Sequence, residues 1–140
     1  MLTVGARDFG RANVREPQPS GGPVGGIVAG ARALAAAGCR RALVLAVDAP
    51  TVLGDDLAPL IEAPAPGAAY AHLHLPLVID IDALPADAGP GWSMARLITA
   101  AGLPLLDADP SAATRLRGAN TPEERAALLE AFLARGPAAI

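Results

Sequence analysis

Apolar residues come in short bursts along this chain, separated by stretches rich in glycine and proline, and the spacing within each burst predicts its element. Residues 1–5, Met-Leu-Thr-Val-Gly, read as a strand. Residues 6–22 are polar and rich in proline and glycine, a loop long enough to suggest function. From 26 to 37, Ile27, Val28, Ala31, Leu34 and Ala35 recur at helical spacing, and Gly38 supplies the stop. Residues 42–47 form an unbroken apolar run, as in a strand buried on both faces. Gly54-Asp55-Asp56 opens a helix over 55–62, with both acids in the first turn, where the helix dipole favours them. Pro64 and Pro66 lie past its end. Two extended pieces follow, 68–73 and 76–81, separated by His74 and Leu75. A helix over 92–101 has Ser93 as its cap candidate and ends at Gly102; short strands are predicted at 103–106 and 113–117. The last helix, 122–134, begins at Thr121-Pro122-Glu123-Glu124, which offers a capping hydroxyl, a proline at the first helical position and a glutamate three residues past the cap. Gly136 and Pro137 close it.

Alternating helices and strands predict an α/β layered sheet, and 140 residues suit one domain spanning 1–140. With 52% apolar residues the chain is globular, and with 3% aromatics its core must be built from Ala, Val, Leu and Ile. A net charge of −3 gives no support for a nucleic-acid partner. No apolar stretch approaches the roughly 18 residues of a membrane span, and no basic start leads into an apolar run, so neither a membrane nor a signal peptide is expected. Cys39 is the only cysteine, which excludes an internal disulfide and fits the cytoplasm. All 11 basic residues are arginine, so chemistry that needs a lysine ammonium against a phosphate cannot run on this chain alone.

Residues 43–50, Leu-Val-Leu-Ala-Val-Asp-Ala-Pro, place Asp48 at the carboxyl end of a strand, and Pro50 forces a turn. In open α/β sheets that edge binds ligands. A carboxylate there could hold Mg²⁺, shared with substrate phosphates, or could simply start a turn. The densest glycine cluster, Ser20-Gly21-Gly22-Pro23-Val24-Gly25-Gly26, directly precedes a helix. It is either a ligand-approaching loop at a helix N-terminus or a tight way into that helix. It lacks the Gly-Lys-Ser/Thr ending of a Walker A loop and the spacing of the dinucleotide fingerprint. His72 and His74 would share a strand face, but no further Cys or His completes a zinc site beside them. Asp80 and Asp82 would share a face likewise; polar strand ends explain them better than a paired-carboxylate hydrolase.

Taken in order, Gly-Pro-Val-Gly-Gly-Ile-Val-Ala-Gly (22–30), Leu-Val-Leu-Ala-Val-Asp-Ala-Pro (43–50), Leu-Pro-Leu-Val (75–78) and Arg-Gly-Ala-Asn-Thr-Pro-Glu-Glu (117–124) resemble the molybdenum cofactor guanylyltransferases and, more broadly, the MobA-like nucleotidyltransferases. The resemblance covers the whole chain. It implies a Rossmann-like three-layer sandwich with a mostly parallel sheet, N-terminally truncated. It also implies transfer of a nucleotide from an NTP, GTP being the donor expected, with Mg²⁺, to a phosphorylated acceptor such as molybdopterin. By resemblance, Asp48 holds the metal, with Val47 and Ala49 in place of the family's Cys and Met. Gly22, Pro23, Val24, Gly25 and Gly26 help hold the nucleotide. His74 and Pro76 face the acceptor, with Leu75 in place of Gln, and Asn120, Thr121 and Pro122 form a closing turn in which Gly118 replaces the first Asn. The family's opening strand and its Gly-rich triphosphate loop, with an Arg and a Lys, are expected to be missing. Impaired catalysis and an exposed sheet edge open to self-association are then expected. The alternative is a non-catalytic nucleotide- or partner-binding remnant of the fold.

Overall fold

A computed structural model describes residues 1–6, 10–15, 18, 20–46, 51–117 and 121–135. The elements run β1 (Leu2–Val4), β2 (Ala12–Val14), α1 (Pro23–Ala36), β3 (Arg41–Val44), α2 (Gly54–Ile61), β4 (Gly67–Tyr70), β5 (Leu77–Asp80), α3 (Met94–Ala100), β6 (Leu105–Leu106), α4 (Pro110–Leu116) and α5 (Pro122–Arg135), with a 3-10 turn at Ile81–Ala83. The fold is α/β, as the alternation predicts. Among the described residues no helix is long and apolar enough to cross a membrane. The chain divides into two compact units: Met1–Ala42, Ala65–Gly67 and Ile79–Pro104 in the first, and Leu43–Pro64, Ala68–Val78 and Leu105–Ile140 in the second.

In the first unit β1 and β2 pair in parallel, Leu2 opposite Ala12 and Val4 opposite Val14. Residues 6–22 are therefore not all loop. Ala-Asn-Val carries too short an apolar pattern to announce a strand, and Gly5 N–H donating to the Val14 carbonyl at 3.0 Å helps fix it in place. Helix α1 starts at Pro23, three residues earlier than its apolar spacing suggests, because proline at the first helical position needs no N–H partner. Its buried face carries Val24, Ile27, Val28 and Ala31, and it contacts β1, β2 and α3. Its end is closed by the Cys39 N–H on the Leu34 carbonyl at 2.9 Å. Helix α3 buries Met94, Leu97 and Ile98, and Ser93 caps it by accepting the Arg96 N–H at 3.1 Å.

The second unit has an apolar core of Val52, Leu57, Leu60, Ala63, Ala68, Tyr70, Val78, Ala112 and Leu116. Of residues 113–117, predicted as a strand, 113–116 belong to α4 and Arg117 lies just past its end. Asp109 accepts the Ser111 N–H at 2.8 Å, Pro110 takes the first helical position, and Ala112 and Leu116, four apart, are buried together. The predicted capping box of α5 is present: Glu124 N–H donates to Thr121 Oγ1 at 3.1 Å, and Thr121 N–H to Glu124 Oε2 at 3.0 Å. Residues 136 and 137, read as its stop, lie outside the described residues.

The larger sheet has the order β3-β5-β4-β6. Strands β4 and β6 are parallel, with Ala69 opposite Leu105. Strand β5 runs the other way. Its last residue, Asp80, donates its N–H to the carbonyl of Pro66, just before β4 begins. Ile81, the next residue, donates to Arg40, just before β3 begins. The mostly parallel sheet expected from the sequence is thus mixed around β5, because a six-residue link between β4 and β5 is too short for a parallel crossover. Strand β3 stands at one end of the order and spans 41–44, against the predicted 42–47; Leu43 is 39% and Leu45 50% exposed.

Candidate functional site

The glycine cluster lies in the first unit. Gly22 has φ 81° and ψ 177°, a conformation open in practice only to glycine, and immediately precedes α1 without any side-chain cap. Pro23, Val24, Gly25 and Gly26 are the first turn of α1, and Val24 and Gly25 are buried. Gly21 is a close approach: a Cβ there would sit 2.6 Å from Pro90 Cβ, and its carbonyl accepts the Gly91 N–H at 2.8 Å. Of the two readings, the tight way into the helix accounts for Gly21 and Gly22. What remains open to a ligand is the exposed, uncapped end at Gly22 and Pro23.

The other predicted positions lie in the second unit. Pro76 is buried, while His74 is exposed. Asp48 and Asn120 lie outside the described residues. The last two described residues before Asp48, Leu45 and Ala46, line an apolar pocket of about 90 Å³ together with Val52, Leu57, Leu75, Pro76 and Leu116. Leu45 and Ala46, three and two residues before Asp48 in sequence, thus share one pocket with Leu75 and Pro76, of the segment assigned to the acceptor. His72 is not on a strand with His74: it sits in the turn after β4 at φ 63°, in the left-handed region. Asp80 and Asp82 are not a pair either. Asp80 ends β5 and accepts Arg41 Nε at 2.6 Å, and Asp82 lies in the 3-10 turn. The Arg41 guanidinium holds the Asp80 carboxyl below the usual aspartate range.

Beside the pocket is a polar cluster that the sequence reading missed. Asp56 is only 4% exposed. Its carboxylate accepts Arg115 Nε at 2.8 Å and Nη2 at 2.5 Å, and also the Leu53 N–H at 3.0 Å, which closes the start of α2. Its backbone carbonyl accepts the Tyr70 hydroxyl at 2.7 Å. The buried Thr51 hydroxyl donates to the Arg115 carbonyl at 2.8 Å. The hydrogen bond that Arg115 donates to Asp56 raises the Arg115 pKa, while burial and then the Asp56 charge raise that of Tyr70. Asp56 looks like an ordinary first-turn acid in the sequence, and Arg115 falls within a predicted strand. Fifty-nine residues separate them, and no local pattern joins them.

Among the described residues no three His, Cys, Asp or Glu side chains come together to hold a metal ion. Asp48, the carboxylate that the resemblance assigns to Mg²⁺, lies outside those residues. Comparisons with protein-family models, with curated proteins and with solved structures find no match to this chain.

Proposed function

We propose that this chain is a Rossmann-like nucleotidyltransferase domain of the molybdenum cofactor guanylyltransferase type, binding GTP with Mg²⁺ and facing a phosphorylated acceptor such as molybdopterin. The observation that carries the reading is the shared pocket. Leu45 and Ala46, which lead to Asp48, and Pro76, on the acceptor side, line the same apolar recess. A transferase needs its nucleotide and acceptor brought together, because positioning and charge neutralisation at the phosphates supply most of the rate. The uncapped, glycine-opened start of α1 supports the nucleotide role, since helix N-termini favour negative charge. When bound, Mg²⁺ would neutralise phosphate charge; Asp48 is the carboxylate assigned to it by the resemblance, which also assigns Asn120 to the closing turn. Pro76 lines the recess, and His74, two residues before it in sequence, is exposed. The chain carries no lysine to neutralise a triphosphate, so turnover by these 140 residues is expected to be slow.

The test is calorimetric titration with GTP, with and without Mg²⁺, followed by product formation with a phosphorylated acceptor. Mg²⁺-dependent GTP binding is expected, and Asp48→Asn should abolish its Mg²⁺ dependence while leaving the circular dichroism spectrum unchanged. Absence of binding at millimolar GTP, or full Mg²⁺ dependence in Asp48→Asn, would overturn the assignment.

A further inference from the structure

Three walls of the apolar pocket are sequence neighbours of the buried polar cluster. Val52 follows Thr51, Leu57 follows Asp56, and Leu116 follows Arg115. Each of the three cluster residues is fixed by a hydrogen bond to a distant element. Asp56 is held by the bidentate Arg115 fork and by Tyr70 from β4; Thr51 is tied to the end of α4. Apolar contact alone sets such a recess loosely, because methyl groups slide over one another at little cost. A bidentate guanidinium–carboxylate bond fixes both distance and angle. It joins the first turn of α2 to the last turn of α4, from which Leu57 and Leu116 project.

We propose that Asp56 and Arg115 are a positioning pair that sets the shape of this pocket. The role of the pocket in nucleotide and acceptor binding rests on the reading above; its dependence on the pair does not. Arg115 acts through Asp56, and the fork matters more than the charge. Arg115→Lys keeps the charge and loses the planar fork, so it should behave nearly as Arg115→Met does.

The experiment uses the full chain and two probes. Xenon enters apolar recesses of this kind, so methyl NMR shifts of Leu57 and Leu116 under xenon report the pocket without any nucleotide. GTP with Mg²⁺ reports binding. Variants are Arg115→Met and Arg115→Lys, with Arg41→Met as the control, since Arg41 and Asp80 form an ion pair and line no part of the pocket. All are measured well below their melting temperatures. Xenon-induced shifts should be lost, and GTP affinity should fall at least tenfold, in both Arg115 variants, while Arg41→Met retains both responses despite a lowered melting temperature. Wild-type xenon shifts that persist in Arg115→Met, or are lost equally in Arg41→Met, would overturn the positioning role. Wild-type protein that takes up xenon but not GTP would overturn the nucleotide reading and leave the positioning pair standing.

Discussion

Asp55 and Asp56 have the same side chain and adjacent places in α2, yet the backbone turns one to water and the other into the core. Asp56 accepts three hydrogen bonds on its carboxylate and closes the helix start; Asp55 is exposed. Asp56→Ala should therefore cost about 2 kcal/mol or more, from the lost helix-end bond and a lost charged hydrogen bond. Asp55→Ala should stay within about 0.5 kcal/mol. Urea unfolding of both variants checks the contrast. Tyr70 offers a second test, because it is the only tyrosine. Burial first, and then the Asp56 charge, raise its pKa. Absorbance titration should show it ionising above the free-tyrosine value of about 10. A raised folded pKa means that its contribution to stability is complete below the unfolded value and is lost as pH climbs through the folded one. Phe substitution at position 70 should flatten that alkaline loss.

The elements that were legible in the sequence are those whose signals are local. Ser93 capping α3 and the Thr121–Glu124 box of α5 each lie within four residues, and both are present. Helix α4 has a local signal as well, in Asp109-Pro110-Ser111, but the following run at 113–117, Ala-Thr-Arg-Leu-Arg, reads as strand by itself. Strand β2 and the reversed β5 are different in kind. Ala12–Val14 earns its place only through β1, and the direction of β5 is set by the link to β4. Of the pocket, Leu45, Ala46 and Pro76 fall in segments that local motifs single out, whereas Asp56 and Arg115 carry no such signal, since their meaning lies in a pairing across 59 residues. At the start of α1 two glycines meet different constraints from a third, at the start of α2. Gly21→Ala brings a Cβ within 2.6 Å of Pro90 Cβ and should cost about 1–3 kcal/mol. Gly22→Ala meets no neighbour but keeps φ 81°, at a strain of about 1–3 kcal/mol. Gly54→Ala has open space and no positive φ, so it should be neutral or gain up to about 1 kcal/mol. Thermal melts of the three should rank in that sense.

At the scale of the whole molecule, the boundary between the two compact units passes through strands. Arg41 and Ala42 of β3 belong to the first unit and Leu43 and Val44 to the second; β5 divides between Val78 and Ile79, and β4 between Gly67 and Ala68. Trp92, half-buried beneath the Arg96 guanidinium at 3.8 Å, is the only tryptophan and lies in the first unit; Tyr70 lies in the second. Nature has thus left one optical label in each half of the molecule. Tryptophan emission and the tyrosine ultraviolet difference signal can be followed in one heating experiment, with no dye attached and no residue replaced. A hydrogen-bonded strand does not melt halfway along its length without exposing its remaining backbone groups, so the two signals should fall at the same temperature. Two separated transitions would instead mean that part of each of three strands can come apart while the rest survives.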